Sequence, residues 1–436
     1  EHTKKLLPGH FLTIDLKKQS VEEHTYWNVY DAYNKPKLSI SEPDAIEETR
    51  KLLLSACRYR MVADVPVGVF LSGGYDSSAV TALLQTSQTE KLKTFTIGFH
   101  ESDHNEAPFA RKVAEHLQTD HYDYYCTTKE AQEIIPDIPF YCDEPFGDSS
   151  IIPTTLVSRL ARQQVTVALS ADAGDETFAG YSKYPISLDI QKKIGLIPPV
   201  MRKTAGSLLR YVPDNLLQTI TGNQSFAVKK RRLAHIIKQK DSSASHIMDH
   251  LLSQVADQDQ LMQLLRKQSD RPWSYFHTEH ELQPSLSQLD RMLAIAYKTY
   301  LPDDILVKVD RAGMSVSLEG REPLLDHRLI EWSAALPDTL KLKGVSSKYI
   351  LRQVVHQYLP KEIMERPKMG FGVPVFQWLR TDLRWYVDEY FSDAALQHGY
   401  FDGSTVRLIT NRFLAGDRNY NNLFWYLLMF QLWYKK

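Results

Sequence analysis

The run Val67-Gly68-Val69-Phe70-Leu71, passing without a break into Ser72-Gly73-Gly74-Tyr75-Asp76-Ser77-Ser78, constrains this chain more than any other feature. A continuous apolar run of this kind suits a strand buried on both faces, the situation of a strand inside a parallel sheet. The glycines that follow let backbone N–H groups approach a polyphosphate without interference from Cβ atoms. The serine hydroxyls and a helix N-terminus then add donors and a favourable dipole for an anion. Asp76 would repel a phosphate unless a cation stood between them, so its presence implies Mg2+. No Gly-Lys-Ser/Thr follows at the spacing of a Walker loop. The alternative is a glycine turn capped by serine and aspartate; the strand before the loop and the helix after it favour anion binding.

The same alternation continues along the chain. Patterning predicts helix from Ser77 to Thr86, strand from Leu92 to Phe99, helix from Ala107 to Leu117 and strand from His121 to Tyr125. A helix from Pro153 to Gln163 and a strand from Val165 to Ser170 complete the series. Alternation of this type implies an α/β fold, a parallel sheet with helices on both faces. Before it, Ser41 with Pro43 and Asp44 reads as the start of a helix that aligns Ile46, Leu53, Cys57 and Met61. Residues 1–40 read as short strands and turns, too few to build a core alone and expected to be the tail of a larger domain. Beyond residue 185 helical periodicity dominates. The expected organisation is therefore a tail (1–40), an α/β core (41–185) and a large helical part (186–436).

Composition limits the classes of function. The 52 basic and 53 acidic side chains nearly cancel, giving a net charge of -1, which argues against a nucleic-acid partner. An apolar fraction of 43% with 24% charged residues excludes a disordered tail or a fibre. No apolar run is long enough to span a bilayer. Cys57, Cys126 and Cys142 form no CxxC pair, which suggests packing thiols in a reducing, cytoplasmic setting. The basic stretch from Lys229 to Lys240 reads either as a solvated helix face or as a patch for an anionic ligand. The first residue is Glu1 and not Met, so an upstream part is expected.

Three later segments carry candidate chemistry. Ser170-Ala171-Asp172-Ala173-Gly174-Asp175-Glu176 follows a predicted strand, where open parallel sheets bind ligands. Taken alone it is a capped helix start. Paired with the Asp76 loop it becomes a second carboxylate set, in which Asp76 and Asp175 share one Mg2+. The loop from Cys142 to Ser150 is placed to reach the same crevice. In Glu365-Arg366-Pro367-Lys368-Met369-Gly370-Phe371-Gly372-Val373-Pro374, a lysine held between prolines and glycines suits phosphate oxygens, although by itself it is an exposed loop lysine. Asp303, Asp304, Lys308, Asp310, Arg311 and the run from Glu319 to Asp326 read equally well as structural ion pairs.

With these motifs assembled, Ser72–Ser78 resembles the pyrophosphate loop of the PP-loop ATPases. Thr94–Phe99, Ser170–Glu176, Asp310 to Asp326 and Arg366 to Pro374, in that order, narrow the resemblance to the glutamine-dependent asparagine synthetase family. Leu7-Pro8-Gly9-His10 to Tyr26-Trp27 looks like the end of that family's glutaminase domain. The family's catalytic N-terminal cysteine is absent from the sequence, so this chain is not expected to hydrolyse glutamine itself. The resemblance implies a PP-loop fold and an AMP-forming ligase that adenylates a carboxylate, aspartate by default, and accepts ammonia from a glutaminase domain. Its cofactors would be ATP and Mg2+. Leu71 and Ile97 match adenine-pocket positions. Ser72, Gly73, Gly74, Asp76, Ser77 and Ser78 match the pyrophosphate cradle, with Ser170 and Ala171 in the facing loop. Asp76 and Asp175 match the metal ligands. Asp172 stands where the family has an acid that assists acyl transfer, and Lys368 matches the lysine that stabilises charge during attack on the α-phosphate. A homodimer is a further expectation.

Three positions depart from the family pattern. Ala171 and Ala173 replace common glycines, and Asn105 stands where an aspartate is common before Glu106. These changes, with Tyr75, leave the substrate open: a uronic acid of a surface polysaccharide or a ring-closing amide are the alternatives to aspartate. A PP-loop enzyme acting on tRNA or nucleotides would be expected to show a basic surface, and its thiolating members paired cysteines. A non-catalytic scaffold would have no need of Asp76, Asp175 and Lys368.

Overall fold

The computed structural model describes residues 3–99, 105–211, 226–239, 241–252, 258–266, 275–365 and 372–436. A short antiparallel hairpin, β1 (His10–Asp15) with β2 (Ser20–Thr25), leads into helix α1 (Glu42–Met61). Ser41 caps α1, its hydroxyl accepting from the Asp44 amide at 3.3 Å, as the sequence predicts. Leu53 and Cys57 are buried on the predicted side of the helix, with Ile46 and Met61 half-buried at its margins.

Strands β3 (Val67–Phe70), β4 (Lys93–Phe99), β5 (Asp120–Cys126), β6 (Val167–Leu169) and β7 (Glu319–Arg321) form one sheet in the order β5-β4-β3-β6-β7, every pair parallel. The predicted alternation holds, with α2 (Tyr75–Thr86), α3 (Ala107–Leu117) and α4 (Ile151–Arg162) at or near their expected positions. The stretch read as helical also supplies β7, which is too short to show any periodicity and completes the sheet beside β6.

Side-chain alternation along the strands divides the interior into two cores. Val69, Leu71 and Leu169 point to one face and pack with Leu53, Val80 and Ala110, and with Met292 on α5 (Gln288–Lys298). Phe95, Ile97, Phe99 and Ala168 point to the other, against Ile151 and Leu156 of α4 and Trp425 on α8 (Asn421–Tyr434). This two-sided cover is what the unbroken apolar runs require. Helix α6 (Leu306–Met314) and helix α7 (Tyr349–Val355) complete the walls. The chain leaves β3 toward β4 on one side and returns through β6 on the other, so a crevice opens at the carboxyl ends of these strands.

The three cysteines are buried and unpaired. Burial pushes the thiols of Cys57 and Cys126 up to about 12 and that of Cys142 to about 11, consistent with packing roles. The basic stretch forms part of helix Phe226–Lys238. It is not simply a solvated face, because Lys230 is buried and Ile236 and Ile237 pack with Ile194 and Ile247. Lys240 and the side chains of Lys229 and Arg231 lie outside the described residues. No described helix is long and apolar enough to cross a membrane.

Candidate active site

The loop after β3 is built from within. Leu71 extends the strand by one more ladder bond, its amide donating to the Phe95 carbonyl at 2.9 Å. Gly73 then turns with φ +76°, and a Cβ there would lie 2.7–2.8 Å from the Phe109 and Ala110 backbone, so the loop requires glycine on both counts. The Ser77 hydroxyl accepts from the Ser72 amide at 3.2 Å and lies 3.0 Å from the Ser72 hydroxyl. The Gly74 amide donates to the Ser72 hydroxyl at 3.3 Å. Gly74 ends the loop as the N-cap of α2, which directs the positive end of the helix dipole into the crevice.

This crevice is a cleft of about 690 Å³, within the size range of small-ligand sites. Leu71, Ser72, Gly73, Gly74, Asp76, Ser77, Ile97, Ser170, Ala171, Asp172 and Asp175 all line it. Leu71 and Ile97, with Phe70, Phe95 and Val157, make an apolar wall at the strand ends. Ser78 does not line the cleft: it is fully buried behind the loop, its amide bonded to the Gly74 carbonyl, and its hydroxyl has no hydrogen-bond partner among the described residues. Lys368 lies outside the described residues, as do its neighbours from Arg366 to Phe371.

Asp76 and Asp175 converge as expected, and a side chain the sequence did not single out joins them. The buried ammonium of Lys348 is 2.6 Å from Asp175 Oδ1 and also donates to Asp76. Burial opposes its charge, but Asp175 and Asp76 outweigh that cost and hold the ammonium well above the ordinary lysine range. Gly180 makes room for the cluster, since a Cβ there would sit 1.9 Å from both Asp175 Oδ1 and Lys348 Cε. Lys348 itself has φ +54° at the N-cap of α7. A cation at a helix N-terminus works against the dipole, and that was the available sequence signal. Two carboxylates that meet at one ammonium are close enough to share one cation. Their hard oxygen donors suit Mg2+, which takes one or two carboxylates and fills its shell with phosphate and water. No group of three or more metal-ligating side chains occurs among the described residues.

The second loop faces this cluster. The Ser170 amide donates to the Arg321 carbonyl at 2.9 Å, and its hydroxyl donates to Asp172. Ala173 is buried with φ +72°, a left-handed conformation that L-alanine adopts at a cost. Burial, with Asp172 and Asp310 close by, pushes the Glu322 carboxyl up to about 7. Burial and Asp175 do the same to Glu176, which accepts from the Tyr181 hydroxyl at 2.8 Å. The third loop also reaches the cleft. Asp148 and Ser150 line it and hold the Lys308 ammonium at 3.1 and 3.0 Å. Arg311, by contrast, pairs outward with Asp143 at 3.0 Å. Asn105 lies just before α3, its side chain accepting from the Ala107 amide at 3.2 Å.

Comparison with known proteins gives a consistent result. The asparagine synthase family model matches residues 48–435. The chain is 27% identical over 436 residues to asparagine synthetase [glutamine-hydrolyzing] 1 of Bacillus subtilis, covering 99% of this chain and 65% of that protein. It is 34% identical over 326 residues to a Methanocaldococcus jannaschii protein that carries a provisional asparagine synthetase [glutamine-hydrolyzing] 2 name, covering 72% and 57%. It is 25% identical over 413 residues to the amidase chyE of Penicillium rubens, covering 86% and 59%. The chain thus spans between 57% and 65% of the length of these relatives.

Proposed function

The chain belongs to the asparagine synthase family, and from that premise we propose an ATP-dependent, amide-forming ligase. It adenylates a carboxylate, aspartate by default, releases pyrophosphate, and combines the acyl group with ammonia from a glutaminase domain to give the amide and AMP. Residues 1–40 belong in this reading to the end of that glutaminase-like domain. The observation that carries it is the convergence of Asp76, Asp175 and Lys348 at the Ser72–Ser78 loop, with Asp172 lining the same cleft.

The chemistry follows from what each group can do. A carboxylate does not exchange its oxygen for an amine at neutral pH, because oxide is a poor leaving group. Attack on the α-phosphorus makes that oxygen part of AMP and breaks the bond to the pyrophosphate. Negative charge grows on the departing pyrophosphate, where the loop amides, the N-terminus of α2 and Lys348 oppose it. Mg2+, when bound, would be held by Asp76 and Asp175 and would neutralise phosphate charge. Lys368 supplies the positive charge at the α-phosphoryl group. As the amine attacks the acyl carbon it becomes acidic, and Asp172, oriented by the Ser170 hydroxyl, accepts its proton.

A second reading keeps this chemistry and changes the acceptor to a uronic acid or a ring-closing carboxylate. Ala171 and Ala173, in place of glycines common in the family, motivate it, the latter in a left-handed conformation. The test is pyrophosphate release from ATP, Mg2+ and ammonium against a panel of carboxylates. Aspartate-dependent release with asparagine formed supports the first reading, and release only with a uronate moves the protein to the second. ATP binding without release for any carboxylate would count against both.

A further inference from the structure

Tyr75 stands at the first position of α2, inside the pyrophosphate loop, and its ring meets two residues of α7 and its C-terminal end. The Arg352 guanidinium lies over the ring face, with Cζ 4.3 Å from the centroid. The Tyr75 hydroxyl is 3.2 Å from His356 Nε2, and the two rings meet edge to face at 5.6 Å. Arg352 Nε also donates to the Ser347 carbonyl at 2.7 Å. Tyr75 and Arg352 both line the cleft, beside Lys348.

A guanidinium stacked on an aromatic face, tied through Nε and in reach of the Tyr75 hydroxyl, still presents a planar fork that matches phosphate geometry. A free arginine would have to give up rotamer entropy at the moment of binding, and one already clamped does not. The aromatic ring supplies the clamp, and the histidine fixes the ring through its hydroxyl.

We propose that Tyr75 is a positioning residue that holds Arg352 at the pyrophosphate end of the cleft, ready to engage the two terminal phosphates of ATP. The inference rests on the nucleotide reading above, and not on which carboxylate is activated. An aliphatic side chain at position 75 would leave Arg352 without its stacking surface.

The test is calorimetric titration of the full chain with Mg·ATP and, separately, with pyrophosphate. The proteins compared are the parent, Tyr75→Phe, Tyr75→Leu, Arg352→Ala and the Tyr75→Leu/Arg352→Ala double variant. Tyr75→Leu should weaken both ligands by about 3- to 30-fold, the worth of one cation–π contact, while Tyr75→Phe keeps the stacked ring and loses less. Arg352→Ala should weaken them at least as much as Tyr75→Leu, and Tyr75→Leu should add nothing once Arg352 is gone. In steady state, the Tyr75→Leu loss should fall mainly on KM for ATP. Parent affinity in Tyr75→Leu, with or without a lower melting temperature, would overturn the proposal, as would additive effects in the double variant. If the parent bound neither ligand, the nucleotide reading and this inference would fall together. If the parent bound ATP with the predicted coupling but no carboxylate elicited pyrophosphate release, the ligase reading alone would fall.

Discussion

Lys348 Nζ lies 2.6 Å from Asp175 Oδ1, and the same ammonium bonds Asp76 on the opposite loop. The buried cation therefore holds together the two carboxylates that the sequence assigns to a metal. In the proposed reading, the chain thereby supplies its own counter-charge at the loop that would meet phosphate.

Replacing Lys348 by methionine keeps much of the volume and leaves two half-buried carboxylates facing each other without their buried cation. Breaking such a pair costs about 3–5 kcal/mol, so thermal unfolding should show a clear loss of stability. Mg2+ should raise the melting temperature of Lys348→Met more than that of the parent, since either cation can relieve the same repulsion. Equal Mg2+ responses would argue that the two carboxylates do not share a cation site.

Asp76→Asn and Asp175→Asn should each lower Mg2+-dependent pyrophosphate release by about 100- to 1,000-fold, the usual cost of losing one charged contact to a transition state. Near-parent release in both variants would remove the metal assignment.

For Lys368→Ala the expected defect lies in the adenylation rate, with ATP affinity largely retained. Single-turnover measurement of pyrophosphate release beside equilibrium ATP binding separates these effects. Parent turnover would refute the role.

Ala173 and Ala296 provide a matched comparison of backbone strain. Both are buried, but Ala173 has φ +72° whereas Ala296 lies within helix α5. Glycine relieves the left-handed conformation and weakens the helix, so Ala173→Gly should be the more stable variant by about 1–2 kcal/mol in denaturant titrations. The reverse order would show that the loop is not strained at Ala173.

Stability should also depend on pH through Glu322 and Glu176. Both carboxyls are raised from 4.5 to about 7, so between those values the folded chain keeps protons that the unfolded chain has released. Their contribution is full below about pH 4.5, falls as pH rises through that window, and levels off above about pH 7. Glu322→Gln carries no titratable group, so its melting temperature should fall less between pH 5 and 7 than that of the parent. An equal slope would exclude Glu322 as a source of the loss.

The parts of the fold that were legible are those whose causes are local. The buried strand into Gly73 and Gly74, the Ser41 cap, and the helix from Ala107 to Leu117 each follow from neighbours within a few positions. The strand Glu319–Arg321 was not legible, because three residues that owe their conformation to pairing with β6 carry no period of their own. The role of Ser78 was overdrawn for a related reason: motif position does not say which side of a helix a hydroxyl faces, and this one faces the interior.

The sequence by itself determined the strand–loop–helix unit, the parallel sheet and the carboxylates at its strand ends, since short-range sterics and hydrophobic periodicity act between residues close in the chain. Only the tertiary structure decided which charges meet. Lys348 is separated from Asp76 by 272 positions, and Arg352 from Tyr75 by a similar span. Electrostatic and stacking energies depend on distance through space and on exclusion from water, and neither is set until the sheet has closed and both loops are buried against α7.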